Sequence, residues 1–215
     1  SAEGLGFKSV PLMPGDAPGN LPTMAMAKGD ASLISRQWLA LLPSKDMTER
    51  EEKAIDAVAQ QMALSGEPPT VAIVHATRST ERIAEMFLKH GIPVVLILPF
   101  GPLTRKSVAR IPTEQRVAPF AIVSLAAPSA AWSRQLLAQS MHLLKSHARS
   151  VLLTDPAPNW LNSSMMHGWA EKPVFFLRYD GFPEQTLDML NREGARPIGR
   201  RPDTGEPNLA LLFRS

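Results

Sequence analysis

The chain has 215 residues, a formal net charge of +3, a pI near 9.4, and 44% hydrophobic and 20% charged residues. These values are typical of a globular protein of one or two domains that is large enough to bury a core. The charge is only mildly basic and no aromatic-rich basic stretch accompanies it, so we expect no nucleic-acid partner. The absence of cysteine excludes disulfides, thiolate metal sites and cysteine nucleophiles.

Residues 1–44 are predicted to form an arm rich in Pro, Gly and Met, ahead of an α/β domain at residues 45–215. Proline and glycine argue against a helix or a central strand in the arm. Its last part, residues 34–42, is expected to dock on the core as a short helix or strand. The alternative is an arm that docks on another protein, with Met24, Met26 and Trp38 as adaptable contacts.

The start of the sequence does not identify the cellular compartment. It reads Ser-Ala-Glu without a methionine, which is compatible with the removal of an N-terminal targeting segment. Cytoplasm and periplasm both fit a chain without cysteine. No apolar run reaches the roughly 18 residues of a membrane span, and we expect no span here.

The first strong helix signal is a capping box, in which Thr48 precedes Glu51 by three residues. A βαβ unit follows at residues 70–98. Its apolar run at 71–74 predicts a strand, the spacing of apolar residues at 80–90 predicts a helix, and Gly91 predicts the helix end. The strands of such a unit are parallel.

Further elements alternate in the same way down the chain. They are a strand within residues 116–125, a helix at 130–148 with Trp132 on its inner side, strands at 151–153 and 174–177, a helix at 183–193 and a closing strand at 208–213. The pattern predicts a three-layer α/β sandwich of βα units around a mostly parallel sheet of about six strands. A hairpin of the last two strands would make the sheet mixed.

The unit at residues 70–98 has a counterpart at 173–200. Laid on each other without gaps, the two place Val71 on Val174 and Gly91 on Gly194. An internal duplication explains this, and so do two ordinary βα units in one sheet.

Candidate ligand-binding residues follow the first strand of the unit at 70–98. In an open parallel sheet, ligands bind beyond the carboxyl ends of the strands. A helix N-terminus, an arginine and several hydroxyls together predict an anion-binding site. The residues are His75, Thr77, Arg78, Ser79 and Thr80. The alternative is that Ser79 or Thr80 caps the helix.

No other pattern indicates chemistry. The phosphate-loop, dinucleotide-binding and nucleophile-elbow motifs are missing. Asp155 and Asp180 follow predicted strands but are also ordinary turn residues. Ser163, Ser164 and His167 are neighbours in sequence only. We therefore expect no metal site, no cofactor and no catalytic residues, and favour a protein that is not an enzyme.

A Pro/Gly-rich arm that includes Glu3-Gly4-Leu5-Gly6, followed by a cysteine-free α/β domain, resembles the adaptor proteins of bacterial type VI secretion that accompany lipase effectors. The resemblance implies a protein-binding adaptor that loads an effector, with that effector as its partner. Two alternatives stay open. One is an enzyme or ligand-binding domain for an anionic, phosphorylated small molecule at the strand ends. The other is a structural domain of a larger envelope protein.

Overall fold

The computed structural model describes residues 1–12, 21–114, 116–154, 172–177, 184–192, 194–198, 202–203 and 208–209. The strands are β1 (Lys8–Pro11), β2 (Met24–Gly29), β3 (Trp38–Leu42), β4 (Thr70–Val74), β5 (Val94–Leu98), β6 (Phe120–Ser124), β7 (Ala148–Leu153), β8 (Val174–Leu177) and β9 (Arg196–Ile198). The helices are α1 (Glu49–Ala63), α2 (Thr80–Lys89), α3 (Lys106–Ala109), α4 (Arg134–His147) and α5 (Glu184–Arg192).

The described strands form one mixed nine-stranded sheet in the order β1-β2-β6-β5-β4-β3-β7-β8-β9. The α/β class and the mostly parallel sheet are confirmed, although the sheet has more strands than the six expected. It is mixed because β2 pairs antiparallel with β6, and β1 with β2. All pairs from β6 through to β9 are parallel.

Alternating side chains of the inner strands build a core on each face of the sheet. In β3, Leu39 and Leu41 pack on the face that carries α1 and α2, while Trp38, Ala40 and Leu42 pack on the face that carries α4 and α5. Strands buried on both faces read as continuous apolar runs, which is how β3, β4 and β5 read in the sequence. The result is the expected three-layer arrangement.

The strand order reverses next to β3. The chain adds β4, β5 and β6 on one side of β3 and then crosses over through α4 to place β7 on the other side. A crevice opens at such a reversal, beyond the carboxyl ends of the two strands that flank it. In this fold those strands are β3 and β7.

The expectation that proline and glycine exclude a central strand from the start of the chain is wrong, because β2 lies between β1 and β6. The expectation that residues 34–42 dock on the core as a short helix or strand is confirmed by β3. Three strands lie in this stretch, and β3 is an inner strand between β4 and β7. The five residues of β3 are all buried and apolar. Pro11 ends β1 at the outer edge of the sheet, where a missing N–H is tolerated. The division into an arm at 1–44 and a domain at 45–215 stays a prediction.

The predicted glycine stops are confirmed at both βαβ units. Gly91 and Gly194 have φ values of 82° and 83°. After each glycine the next N–H bonds back into the last helical turn, Ile92 to Phe87 and Ala195 to Leu190. Both units therefore end their helices in the same way, while the duplication of residues 70–98 at 173–200 stays a prediction.

Three other expectations differ from the structure or fall outside it. The helix predicted at 130–148 begins only at Arg134, which leaves Trp132 in the preceding loop with 52% of its surface exposed. A hairpin of the last two strands was expected, but the last two described strands, β8 and β9, pair in parallel. The strand predicted at 208–213 lies mostly outside the described residues, as do Asp155, Ser163, Ser164, His167 and Asp180.

Within the described part of the chain, the helices are too short or too polar to cross a membrane.

Candidate functional site

The crevice between β3 and β7 is occupied by a side chain of the protein itself. Glu51 in the first turn of α1 is fully buried. Its Oε1 accepts the backbone N–H of Ser44, which follows β3, at 3.1 Å and the hydroxyl of Thr154, which follows β7, at 2.8 Å. The carboxyl group thus joins the two strand ends where a ligand would otherwise enter.

The capping box that the sequence predicts at this place forms only in part. Thr48 Oγ1 accepts the backbone N–H of Glu51 at 3.2 Å, as expected. The reciprocal bond from the Glu51 side chain is replaced by the bonds to the two strand ends. The sequence spacing of 103 residues between Glu51 and Thr154 explains why no local pattern shows this contact.

The next strand end, that of β4, brings the predicted site residues together. The hydroxyl of Thr77 lies 3.1 Å from both the Ser79 and the Thr80 hydroxyls, and Thr80 is buried. The Ser79 hydroxyl donates to the carbonyl of Ser44 at 3.4 Å, which ties this loop to the loop after β3. Arg78 is exposed at the tip.

The helix that starts here lacks the cap that its neighbours have. Ser79 is the N-cap residue of α2 but makes no side-chain bond to the first turn. At α1 and α4, by contrast, the N-cap side chains of Thr48 and Ser133 accept backbone N–H groups at 3.2 and 3.1 Å. Ser79 therefore does not cap α2 through its side chain. The N–H of Thr80 donates to the Thr77 carbonyl at 3.5 Å, whereas the N–H groups of Glu81 and Arg82 have no acceptor among the described residues.

His75 directly follows β4 and is buried, with 7% of its surface exposed. Its Nε2 lies 3.2 Å from Glu81 Oε1, and its ring meets the Phe100 ring edge-on with centroids 5.9 Å apart. Burial lowers the pKa of His75; the contact with Glu81 opposes this and the charge of Arg105 adds to it. The imidazole is therefore neutral at pH 7. With its proton on Nε2, its Nδ1 has no hydrogen-bond partner among the described residues.

Exposed cations lie in the loops or first helical turns after four neighbouring strands. None of them forms an ion pair with another described residue. Arg105 lies over the Phe100 ring, with its guanidinium carbon 5.2 Å from the centroid. The residues are Lys45 after β3, Arg78 after β4, Arg105 and Lys106 after β5, and Arg134 after β6.

Cations on the helical face of α1 and α2 are different, because Lys53, Arg82 and Lys89 each pair with a carboxylate. The sequence pointed to Arg78 alone among the strand-end cations. The others follow from a simple signal, a basic residue soon after each successive strand.

The residues proposed for protein contact do not form one surface. Trp38 is 1% exposed, its indole N–H donates to the carbonyl of Leu33 at 2.8 Å, and its ring stacks on His147 at 4.6 Å. It offers no surface to a partner. Met24 is 46% exposed and Met26 is half-buried, and a contact role for these two stays a prediction.

No protein family and no curated protein matches the chain. Solved structures that share its fold include two DNA processing proteins. DNA processing protein A from Streptococcus pneumoniae superposes with a TM-score of 0.64 at 15% identity, over 89% of this chain and 71% of that chain. DNA processing protein A from Helicobacter pylori, solved for its single-stranded DNA binding mode, superposes with a TM-score of 0.65 at 14% identity, over 89% and 90% of the two chains. The shared fold is a Rossmann-like α/β domain.

These likenesses correct the family resemblance and what it implied. The structural neighbours are DNA processing proteins, so the resemblance to type VI secretion adaptors is wrong, as are the protein-binding adaptor function and the effector partner. The alternative of a phosphorylated small molecule is replaced as well. The exclusion of nucleic acid is also wrong, because one neighbour binds single-stranded DNA. A short Glu-Gly-Leu-Gly segment and a similar layout were too little to identify a family.

Proposed function

We propose that this chain binds single-stranded nucleic acid at the carboxyl ends of its parallel strands, called the carboxyl edge of the sheet below. Backbone phosphates are held at residues 75–80. The observation that carries the proposal is the uncapped N-terminus of α2, with Arg78 beside it and Arg105 on the neighbouring loop. The fold shared with a protein that binds single-stranded DNA supports a polymer as the ligand.

The phosphate would meet two kinds of donor at α2. First-turn N–H groups point along the helix axis, and the helix dipole adds partial positive charge. Arg78 adds a full charge and a planar fork of donors that suits phosphate oxygens. The half-buried hydroxyls of Thr77 and Ser79 lie beside the same helix end.

The path of the strand follows from charge and from the closed crevice. Glu51 bonds to the residues that follow β3 and β7, so we expect the ligand to run past the ends of β4, β5 and β6. Arg105, Lys106 and Arg134 lie on that path for successive phosphates. A groove of this kind follows the nucleic-acid backbone without reading its sequence.

Two groups at α2 limit the affinity. His75 is buried and neutral, and adds no charge to the site. Glu81 lies in the first turn of α2 with its carboxylate against His75 Nε2, where it repels a phosphate. Replacing Glu81 by glutamine keeps a hydrogen-bond acceptor for His75 and removes the negative charge.

The test is fluorescence anisotropy of a labelled oligo-thymidine strand, measured with the full chain at several salt concentrations. We expect Arg78→Ala and Arg105→Ala each to weaken binding about fivefold and to reduce the slope of log affinity against log salt by about 0.7. Glu81→Gln should strengthen binding about twofold to threefold. Arg36→Ala and Arg149→Ala, which remove exposed cations at the opposite edge of the sheet, are the matched controls.

Equal losses in the control variants and in the strand-end variants would show only diffuse attraction by a basic protein. That result, or an absence of binding by the wild type at low salt, overturns the proposal. A loss confined to Arg78 and Arg105, with a gain for Glu81→Gln, supports it.

A further inference from the structure

One large aromatic side chain is exposed at the same edge as these cations. Met24, Leu64, Val117 and Trp132 are the large hydrophobic residues that the described part of the chain exposes. Leu64 follows the end of α1 and Val117 precedes β6, so both lie at the amino edge of the sheet. Trp132 follows β6 and lies at the carboxyl edge.

The loop that carries Trp132 is fixed against the loop that carries Arg105. The carbonyl of Ala130 accepts the N–H of Gly101 at 2.7 Å and the hydroxyl of Thr104 at 2.9 Å. Trp132 is two residues beyond Ala130, and Arg105 directly follows Thr104. The indole and the guanidinium are therefore presented by two segments held together by hydrogen bonds.

A close backbone approach holds these two loops in register. A Cβ atom on Gly101 would lie 2.1 Å from the carbonyl oxygen of Ala127 and 2.4 Å from that of Pro128. Only glycine fits there. The N–H of Leu103 donates to the same Pro128 carbonyl at 2.8 Å. Trp132 is thus part of a rigid edge, which lowers the entropy cost of using it for binding.

A purely structural role for Trp132 exists and makes a different prediction. Trp132 directly precedes Ser133, the N-cap of α4, and an apolar residue in that position often packs on the fourth helical residue, here Leu137. Such packing needs apolar bulk but no aromatic face. It does not by itself require that 52% of the Trp132 surface stays exposed.

We infer that Trp132 is a stacking platform for a base of the bound strand, next to the phosphate contacts of Arg105. The inference rests on the proposed function and adds that bases, and not the backbone alone, are engaged. Stacking on an aromatic ring tolerates any base, because every base has a π-face. Exposed aromatic surface beside cations has the composition that single strands require.

The test compares Trp132→Phe, which keeps an aromatic face, with Trp132→Leu, which keeps apolar bulk for α4. Each is titrated with oligo-thymidine and with an abasic strand of the same length. We expect Trp132→Leu to bind oligo-thymidine about tenfold more weakly than the wild type, and Trp132→Phe to stay within about twofold. Leu64→Ala, an exposed apolar residue at the opposite edge, is the control.

The abasic strand separates this inference from the proposed function. Wild type and Trp132→Leu should bind the abasic strand equally well, because no base is present to stack. Equal affinities of Trp132→Phe and Trp132→Leu for oligo-thymidine, or a loss for Trp132→Leu that persists on the abasic strand, overturns the stacking role and leaves the phosphate contacts intact. Failure of the wild type to bind either strand removes both.

Discussion

Two neighbouring places at the carboxyl edge of the sheet are built in opposite ways. Between β3 and β7 a carboxyl group fills the crevice and bonds to both strand ends. At β4 and β5 the helix N-terminus is uncapped, the nearby arginines are unpaired among the described residues, and one histidine nitrogen lacks a hydrogen-bond partner there. Glu51 Oε1 is satisfied within the protein, whereas the exposed arginines beside β4 and β5 are accessible to a ligand. This contrast is the reason for proposing that the ligand lies past β4 and β5.

The largest expected loss of stability comes from removing the Glu51 carboxyl group between β3 and β7. Glu51→Ala leaves the buried Ser44 N–H and Thr154 hydroxyl without the acceptor they share, and also creates a cavity. We expect the free energy of unfolding to fall by about 3 kcal/mol. Glu51→Gln retains the acceptor oxygen and should cost less than half as much. Denaturant unfolding of both variants measures the difference, and equal losses would contradict a bridging role.

On the open side, the loops after β5 and β6 are in close backbone contact at Gly101, and Gly101→Ala tests how much this contact stabilises the protein. The added methyl group would collide with the carbonyl oxygens of Ala127 and Pro128, which cannot move independently. We expect a loss of about 2 kcal/mol in unfolding free energy. The matched control is Gly66→Ala, where nothing lies within 4 Å of the added atom. If both variants unfold alike, the two loops are not held by this approach.

The smallest effect concerns the histidine of the open side. Burial lowers the pKa of His75 below its ordinary value of 6.5, so the unfolded chain binds the proton more readily than the folded one. The contribution of neutral His75 to the free energy of unfolding is fully present above pH 6.5 and is lost as the pH falls toward the pKa of the folded state. We expect wild type to lose more stability than His75→Gln between pH 7.5 and 5.5. Thermal melts of both proteins across this range give the difference, and parallel curves would exclude such a linkage.

Much of the fold could be predicted from the sequence because it depends on local periodicity. The unit of β4, α2 and β5 was predicted close to its observed bounds, since its apolar spacing and Gly91 act within a few residues. The place of β3 in the sheet could not be predicted, because strand order depends on contacts between distant segments. Its apolar run was visible and was expected to dock on the core as a short helix or strand.

The residues of the candidate site also fall into a group that could be predicted from local sequence and a group that depends on contacts between distant segments. The residues from His75 to Thr80 follow from a general rule about strand ends. The neighbourhood of Arg105 and Trp132 depends on the bonds between Gly101, Thr104 and Ala130, which no sequence pattern shows. The role of Glu51 was half visible, because its backbone follows the capping box while its carboxyl group serves strands far along the chain.

The antiparallel pair of β1 and β2 has a consequence for shortened forms of this protein. β2 covers the backbone of β6 over four residue pairs, and Lys28 reaches across to the carbonyl of Ala109 at 2.7 Å. A fragment that begins after residue 29 would leave β6 as a flat, apolar outer strand with unpaired N–H and C=O groups. Such an edge invites pairing with another chain, so the fragment is expected to aggregate. Expression designs that trim this proline-rich start would therefore remove part of the sheet.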